Sequence, residues 1–94
     1  MIHHDANEEE EWDQFGKEFT SIHKEFQDSL KEKHGNFTNS EWRLISLLKM
    51  NLSSKDIANI LRISADSVKK ARYRLRKKMQ LDSNLDIQDY LLSI

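Results

Sequence analysis

The stretch Ser67-Val-Lys-Lys-Ala-Arg-Tyr-Arg-Leu-Arg-Lys-Lys-Met79 is the most informative part of this sequence. Seven of the ten residues from Lys69 to Lys78 are lysine or arginine, and none is acidic. At about 100° per residue, one side of a helix collects the apolar residues Val68, Ala71, Leu75 and Met79. The other side collects Lys70, Tyr73, Arg74 and Lys77, with Lys69 and Arg76 at its margin. A helix that packs by one face and presents cations on the other is suited to a polyanion, and DNA is the obvious candidate.

Charge is divided unevenly along the chain. Residues 1–40 carry a net charge of −6 and residues 41–94 a net charge of +5, so the whole chain is close to neutral. This asymmetry indicates a nucleic-acid face on the basic half, although two ordinary solvated surfaces would give the same totals. We therefore infer a nucleic-acid face from the arrangement of the basic residues along the helix, and not from their number.

The composition predicts a small all-α protein. The 94 residues include no Pro and only two Gly, which suits helices and argues against a turn-rich β fold. There is no Cys for a disulfide or a thiolate metal site, and no apolar run long enough to span a bilayer. The sequence contains no Gly-rich phosphate loop and no nucleophile–base arrangement. We therefore expect a cytoplasmic protein that is not an enzyme and has no cofactor, no metal site at His3 and His4, and no membrane contact.

The first third of the chain predicts a long amphipathic helix over residues 8–35, after a disordered start over residues 1–7. Glu8 to Glu11 place negative charge at the start of this helix, where the helix dipole favours it, and Gly35 suits a left-handed turn at its end. Apolar positions three or four residues apart form one narrow stripe, made of Trp12, Phe15, Phe19, Ile22, Phe26 and Leu30. We expect such an apolar stripe to be buried, either against the second half of the chain or against a partner helix such as another copy.

Residues 36–94 predict four shorter helices with recognisable starts. Thr38 and Glu41 form a capping box with Phe37 placed for a hydrophobic staple, and Ser53 and Ser64 cap the next two helices. A polar break over residues 82–86 precedes a last short helix. Two helices of about eight and fifteen residues joined by a short turn have the spacing of a helix-turn-helix, whose second helix enters the major groove. The second helix of this pair is the basic one, at about residues 65–79.

In this register the sequence resembles the LuxR/GerE-type helix-turn-helix domain from Phe37 to about Ile94. The matching segments are Phe37-Thr38-Asn39-Ser40-Glu41, Leu47-Leu48, Leu52-Ser53-Ser54-Lys55-Asp56-Ile57-Ala58, Leu61-Arg62-Ile63-Ser64-Ala65-Asp66-Ser67-Val68, and Lys78-Met79 with Leu81. The run from Ala71 to Lys78 is most similar to a subgroup that ends larger sensor-regulator chains. The resemblance implies the output domain of a transcription regulator in signal transduction. Members of that subgroup have a sensor region upstream of the domain, so this chain is either a full chain or the tail fragment of a longer one.

Three positions depart from the family pattern. Asn51 stands where the family usually has Gly, and Asn can adopt the same left-handed turn at modest cost. Ser67 replaces a Thr and keeps the hydroxyl. Ala71 replaces a common His, so any DNA contact that this His makes in relatives is missing here.

The resemblance also implies which residues meet DNA. Relatives place Lys55 and the start of its helix near a phosphate, and they read bases from the face that carries Lys69, Lys70 and Tyr73. The helical periodicity gives the same face independently, so we assign these three residues to the groove floor. Arg74 and Lys77 are expected to clamp phosphates.

The remaining polar residues of the basic helix have more structural roles. We expect Ser64 and Ser67 to act first as capping residues and second as phosphate donors. Arg72 and Lys78 lie toward the core side, where one of them is expected to bond Glu41.

The last helix is expected to carry a dimer contact, made by Ile87, Tyr90, Leu91 and Ile94, because relatives often pair through it. The competing contact is the aromatic stripe, whose 3–4 spacing would also support a coiled coil. The alternative function is a protein-interaction module in which the aromatic helix is the binding element and the basic helix contacts an acidic partner. RNA binding is a weaker third option, since aromatic platforms on strands are missing.

Overall fold

The computed structural model describes the backbone of residues 2–94 and the side chains from residue 9 onward. Every regular element in this range is helical, which confirms the all-α prediction. The elements are α1 (Ile2–Ile22), α2 (Lys24–His34), α3 (Asn39–Lys49), α4 (Ser54–Leu61), α5 (Ala65–Met79) and α6 (Ile87–Ser93). None of these helices is long and apolar enough to cross a membrane.

The described chain forms two compact units, the first ending at Lys33 and the second spanning His34–Ile94. In the first unit, α1 begins earlier than the start predicted at Glu8, and a bend at His23 separates α1 from α2 where one helix was expected. Hydrogen bonding continues across this bend, because the His23 N–H donates to the Phe19 carbonyl at 2.8 Å. The predicted boundaries at residues 7 and 35 stay predictions, and the side chains of His3 and His4 lie outside the described part.

The aromatic residues of the first unit lie in contact along the helices, as their spacing predicts. The rings of Trp12 and Phe15 have centroids 5.4 Å apart, and those of Phe15 and Phe19 are 6.0 Å apart. Phe19 also meets Phe26 edge to face at 6.2 Å, across the bend. Ile22 is the exception, with 76% of its surface exposed.

The second unit begins with the predicted capping box. The Glu41 N–H donates to Thr38 Oγ1 at 3.1 Å, and the Thr38 N–H donates to Glu41 Oε1 at 2.8 Å. The rings of Phe37 and Trp42 lie 5.2 Å apart as a hydrophobic staple. These contacts fix the start of α3 as the sequence predicts.

The turns between the helices use left-handed backbone at three residues that are not glycine: Asn51, Arg62 and Gln80, with φ near 60°. Asn51 takes the role predicted for it after α3. Arg62 and Gln80 end α4 and α5, where a left-handed conformation costs roughly 1 kcal/mol that the surrounding packing must offset. The turn at Arg62 is closed by a 3.0 Å bond from the Ile63 N–H to the Ala58 carbonyl. This turn sets α5 against α4.

The core of the second unit contains the inner face of α5. Val68, Leu75 and Met79 are almost completely buried, while Ala71 is partly exposed. α5 packs mainly on α4, and α6 packs mainly on α3. The helix faces therefore agree with the 3.6-residue periodicity.

The Lys78 side chain makes contacts within the second unit. Its Nζ lies 2.8 Å from Glu41 Oε1 and 4.9 Å from the centroid of the Phe37 ring. Burial alone would raise the pKa of Glu41, but the hydrogen bonds from Lys78 and Thr38, with the charge of Lys78, together lower that pKa. The expected bond between Glu41 and one of Arg72 and Lys78 is therefore made by Lys78.

We expect the stabilisation from this carboxylate to depend on pH. Because the pKa of Glu41 is lowered on folding, its contribution is fully present above the unfolded-state pKa and is lost as the pH falls through the folded-state pKa. The difference in unfolding free energy between wild type and Glu41→Gln should therefore be largest at neutral pH and shrink in acid. Urea unfolding of both proteins across this range measures it, and a difference that is constant with pH would contradict the ionic role.

Candidate nucleic-acid interface

The outer face of α5 is an exposed, cationic surface. We call this surface the basic face and define it by Lys69, Lys70, Tyr73, Arg74 and Lys77, all of which are exposed. Tyr73 keeps 55% of its surface exposed, and Lys77 Nζ lies 5.3 Å from the centroid of its ring. The basic face thus combines four cations with one aromatic ring along successive turns of a single rigid helix.

The fold separates the seven cations of the Lys69–Lys78 run into two groups. Arg72 donates to Ser54 Oγ at 2.7 Å, Arg76 donates to the Asp82 carbonyl at 3.0 Å, and Lys78 pairs with Glu41. These three cations are used within the second unit. The four that remain on the outer side, Lys69, Lys70, Arg74 and Lys77, all belong to the basic face.

The two other predicted contact residues stand near helix starts. Lys55 is exposed in the first turn of α4, which begins after the Ser53 cap. Ser67 is exposed in the first turn of α5, where its N–H donates to Ser64 Oγ at 3.0 Å and its hydroxyl lies 2.9 Å from the Ser64 hydroxyl. Ser64, rather than Ser67, is therefore the capping residue, and the Ser67 hydroxyl accepts a hydrogen bond from the Ser64 hydroxyl on an exposed residue.

The exposed side chains of α6 differ from those predicted to form the dimer contact. Ile87 and Leu91 have no exposed surface, since α6 turns this side toward α3. Neither side chain is accessible to a second copy, so both must be removed from the predicted dimer contact. Tyr90 and Ile94 are partly exposed, and Leu92, which is not among the predicted contact residues, is 40% exposed.

Tyr90 is also tied into the second unit. Its hydroxyl lies 2.7 Å from His34 Nε2, with the two rings 5.8 Å apart and edge to face. Burial raises the pKa of this phenol, so Tyr90 stays neutral at physiological pH. Of the four residues predicted from the sequence for a dimer contact, only Ile94 and part of Tyr90 remain available.

Nothing in the described part of the chain adds a metal centre to this surface. No group of three or more His, Cys, Asp or Glu side chains converges among the described residues.

Comparison with protein families identifies the family to which the second unit is similar. The family model for GerE, described as bacterial regulatory proteins of the luxR family, matches residues 35–91, more than half of the chain. Searches among curated proteins and among solved structures gave no match. The matched region contains the whole of α3, α4 and α5 and most of α6, so the basic face lies on the family's helix-turn-helix. The chain belongs to the luxR family of bacterial regulatory proteins.

Proposed function

We propose that this chain binds double-stranded DNA sequence-specifically, as the output domain of a transcription regulator. The observation that supports the proposal most strongly is the division of the cations of α5. Three of them bond within the fold, and the other four share one exposed face with Tyr73. A cationic face on a helix of 15 residues has the shape and charge that the major groove accepts.

The exposed residues have distinct roles in this proposal. Lys69, Lys70 and Tyr73 lie at the groove floor, where lysine reaches guanine acceptors and the phenol reaches a base edge. Arg74 and Lys77 bind phosphates, which set the register without reading sequence. Lys55 and the hydroxyl of Ser67 add phosphate contacts from the starts of α4 and α5. A regulator that acts on bacterial DNA works in the cytoplasm, where we place this chain.

Selection of bound fragments from random duplexes tests the proposal directly. We expect an enriched sequence whose affinity falls steeply with salt, because several phosphates are neutralised and their counterions released. A mixed-sequence duplex of equal length should bind more weakly, by a factor of roughly 10³ or more at physiological salt. Binding without any enriched sequence would instead favour an interaction module that meets acidic surfaces in general.

We also propose that two copies bind one operator through the exposed side of α6. Two recognition helices would then enter successive major grooves about 34 Å apart. Tyr90, Leu92 and Ile94 supply the exposed or partly exposed apolar surface on this helix. This area is small, so the pairing is expected on DNA rather than in free solution.

Leu92→Glu should therefore abolish two-to-one complexes on a duplex with two half-sites, because a charge would be placed in the apolar contact. Ile22→Glu is the matched control, since Ile22 lies on the aromatic helix and is more exposed than Leu92. Sedimentation of each variant with the duplex gives the stoichiometry. Loss of two-to-one complexes in Ile22→Glu alone would assign the pairing to the aromatic stripe.

A further inference from the structure

We propose that Arg72 is a positioning residue that holds the phosphate-binding end of α4 in place against the recognition helix. The inference rests on the proposed DNA binding and adds a residue that would act without touching DNA. Arg72 lies in the middle of the basic run, but its side chain is only 18% exposed. We therefore infer its role from the hydrogen bonds that it makes within the second unit.

The guanidinium of Arg72 joins the starts of two helices. Nη1 donates to Ser54 Oγ at 2.7 Å, and Ser54 is the first residue of α4. Nη2 donates to Asp86 Oδ1 at 3.0 Å, and Asp86 is the capping residue of α6. The other oxygen of Asp86 accepts the N–H of Asp89 at 3.1 Å, so the carboxylate is itself fixed in direction.

This geometry needs an arginine. A planar guanidinium donates from two nitrogens in fixed directions, whereas a lysine ammonium is a single point charge on a flexible stem. Lysine at position 72 would keep the charge but could not hold Ser54 and Asp86 together in the same geometry. Asp86 is 49% exposed, so the ion pair alone adds little stability. The contact instead fixes the orientation of the Ser54 and Asp86 side chains relative to each other.

The link affects DNA binding through the next residue. Lys55 directly follows Ser54 and is exposed in the first turn of α4. The middle of α4 is anchored independently by the buried side chains of Ile57 and Ala58. Loss of the Arg72 link should thus leave the fold intact and loosen only the turn that presents Lys55 to a phosphate.

A double-mutant cycle on the selected duplex tests this coupling. Lys55→Ala should weaken binding about five- to tenfold in the wild-type background and flatten the salt slope by about one unit. In the Arg72→Lys background the same change should cost less than about twofold, because the contact is already lost. Ser54→Ala, which removes the other end of the bond and no charge, should reduce the effect of Lys55→Ala in the same way.

Arg76→Lys is the matched control, since Arg76 lies one turn further along α5 and bonds the Asp82 carbonyl instead. In this background Lys55→Ala should keep its full effect. Without DNA, Arg72→Lys should shift the amide resonances of Ser54 and Lys55, and Arg76→Lys should not. Equal losses from Lys55→Ala in all backgrounds would overturn the role of Arg72, whereas failure of the wild type to bind any duplex would overturn the proposed function itself.

Discussion

The triple variant Lys70→Ala, Tyr73→Ala, Lys77→Ala is expected to lose both base preference and affinity. Each good base contact removed from the groove floor should cost about 1–3 kcal/mol on the selected duplex. Loss of the phosphate contact of Lys77 should weaken binding to every duplex and flatten the salt slope by about one unit. Because all three side chains are exposed, the fold should not change. Fluorescence anisotropy across a salt series, with circular dichroism to confirm folding, measures both effects.

The matched control removes the same positive charge elsewhere. Lys17 and Lys24 are exposed on α1 and α2, so their double replacement by Ala changes the net charge equally but leaves the basic face intact. We expect this control to bind the selected duplex nearly as the wild type does. If the triple variant and the control behaved alike, net charge rather than the basic face would explain the binding.

Leu75→Ala is expected to cost about 2–5 kcal/mol of unfolding free energy. Leu75 is 2% exposed on the inner face of α5, on the same side as Val68, and both residues border a largely apolar groove of about 290 Å³. Removing its side chain therefore loses buried apolar contact and enlarges a space that the rigid helices cannot close. For a small domain this is a large part of the total stability.

Tyr73→Ala is the control for Leu75→Ala on the same helix. Tyr73 is 55% exposed, so its loss should change stability by no more than about 0.5 kcal/mol. Urea unfolding of the two variants gives the comparison. Equal midpoints for Leu75→Ala and the wild type would mean that the inner and outer faces of α5 have been exchanged.

The parts of the fold that could be predicted are those that local chemistry decides. The capping box of Thr38 and Glu41 requires only residues three apart, and the faces of α5 follow from a strongly amphipathic period. The left-handed turn at Asn51 was also predictable, because Asn tolerates this conformation better than most residues. Arg62 and Gln80 adopt the same conformation without any such signal in the sequence.

The parts that could not be predicted depend on tertiary packing. α6 has only seven residues and carries apolar side chains on more than one side. Its packing on α3 decides that Ile87 and Leu91 are buried while Leu92 is exposed, and no pattern within so short a helix determines that choice. Likewise, the helical period places Arg72 toward the core side, but its partners Ser54 and Asp86 lie 18 and 14 residues away in the sequence, so the basic run alone could not identify them.

Amide chemical-shift mapping of the isotope-labelled chain with its selected duplex tests most directly whether the basic face is the proposed DNA-binding surface. We expect the largest changes along α5 from Ser67 to Lys77, a smaller group at Lys55, and the same pattern at weaker amplitude with a mixed-sequence duplex. Largest changes on α1 and α2, with the amides of α5 unaffected, would contradict the assignment of the basic face as the DNA surface.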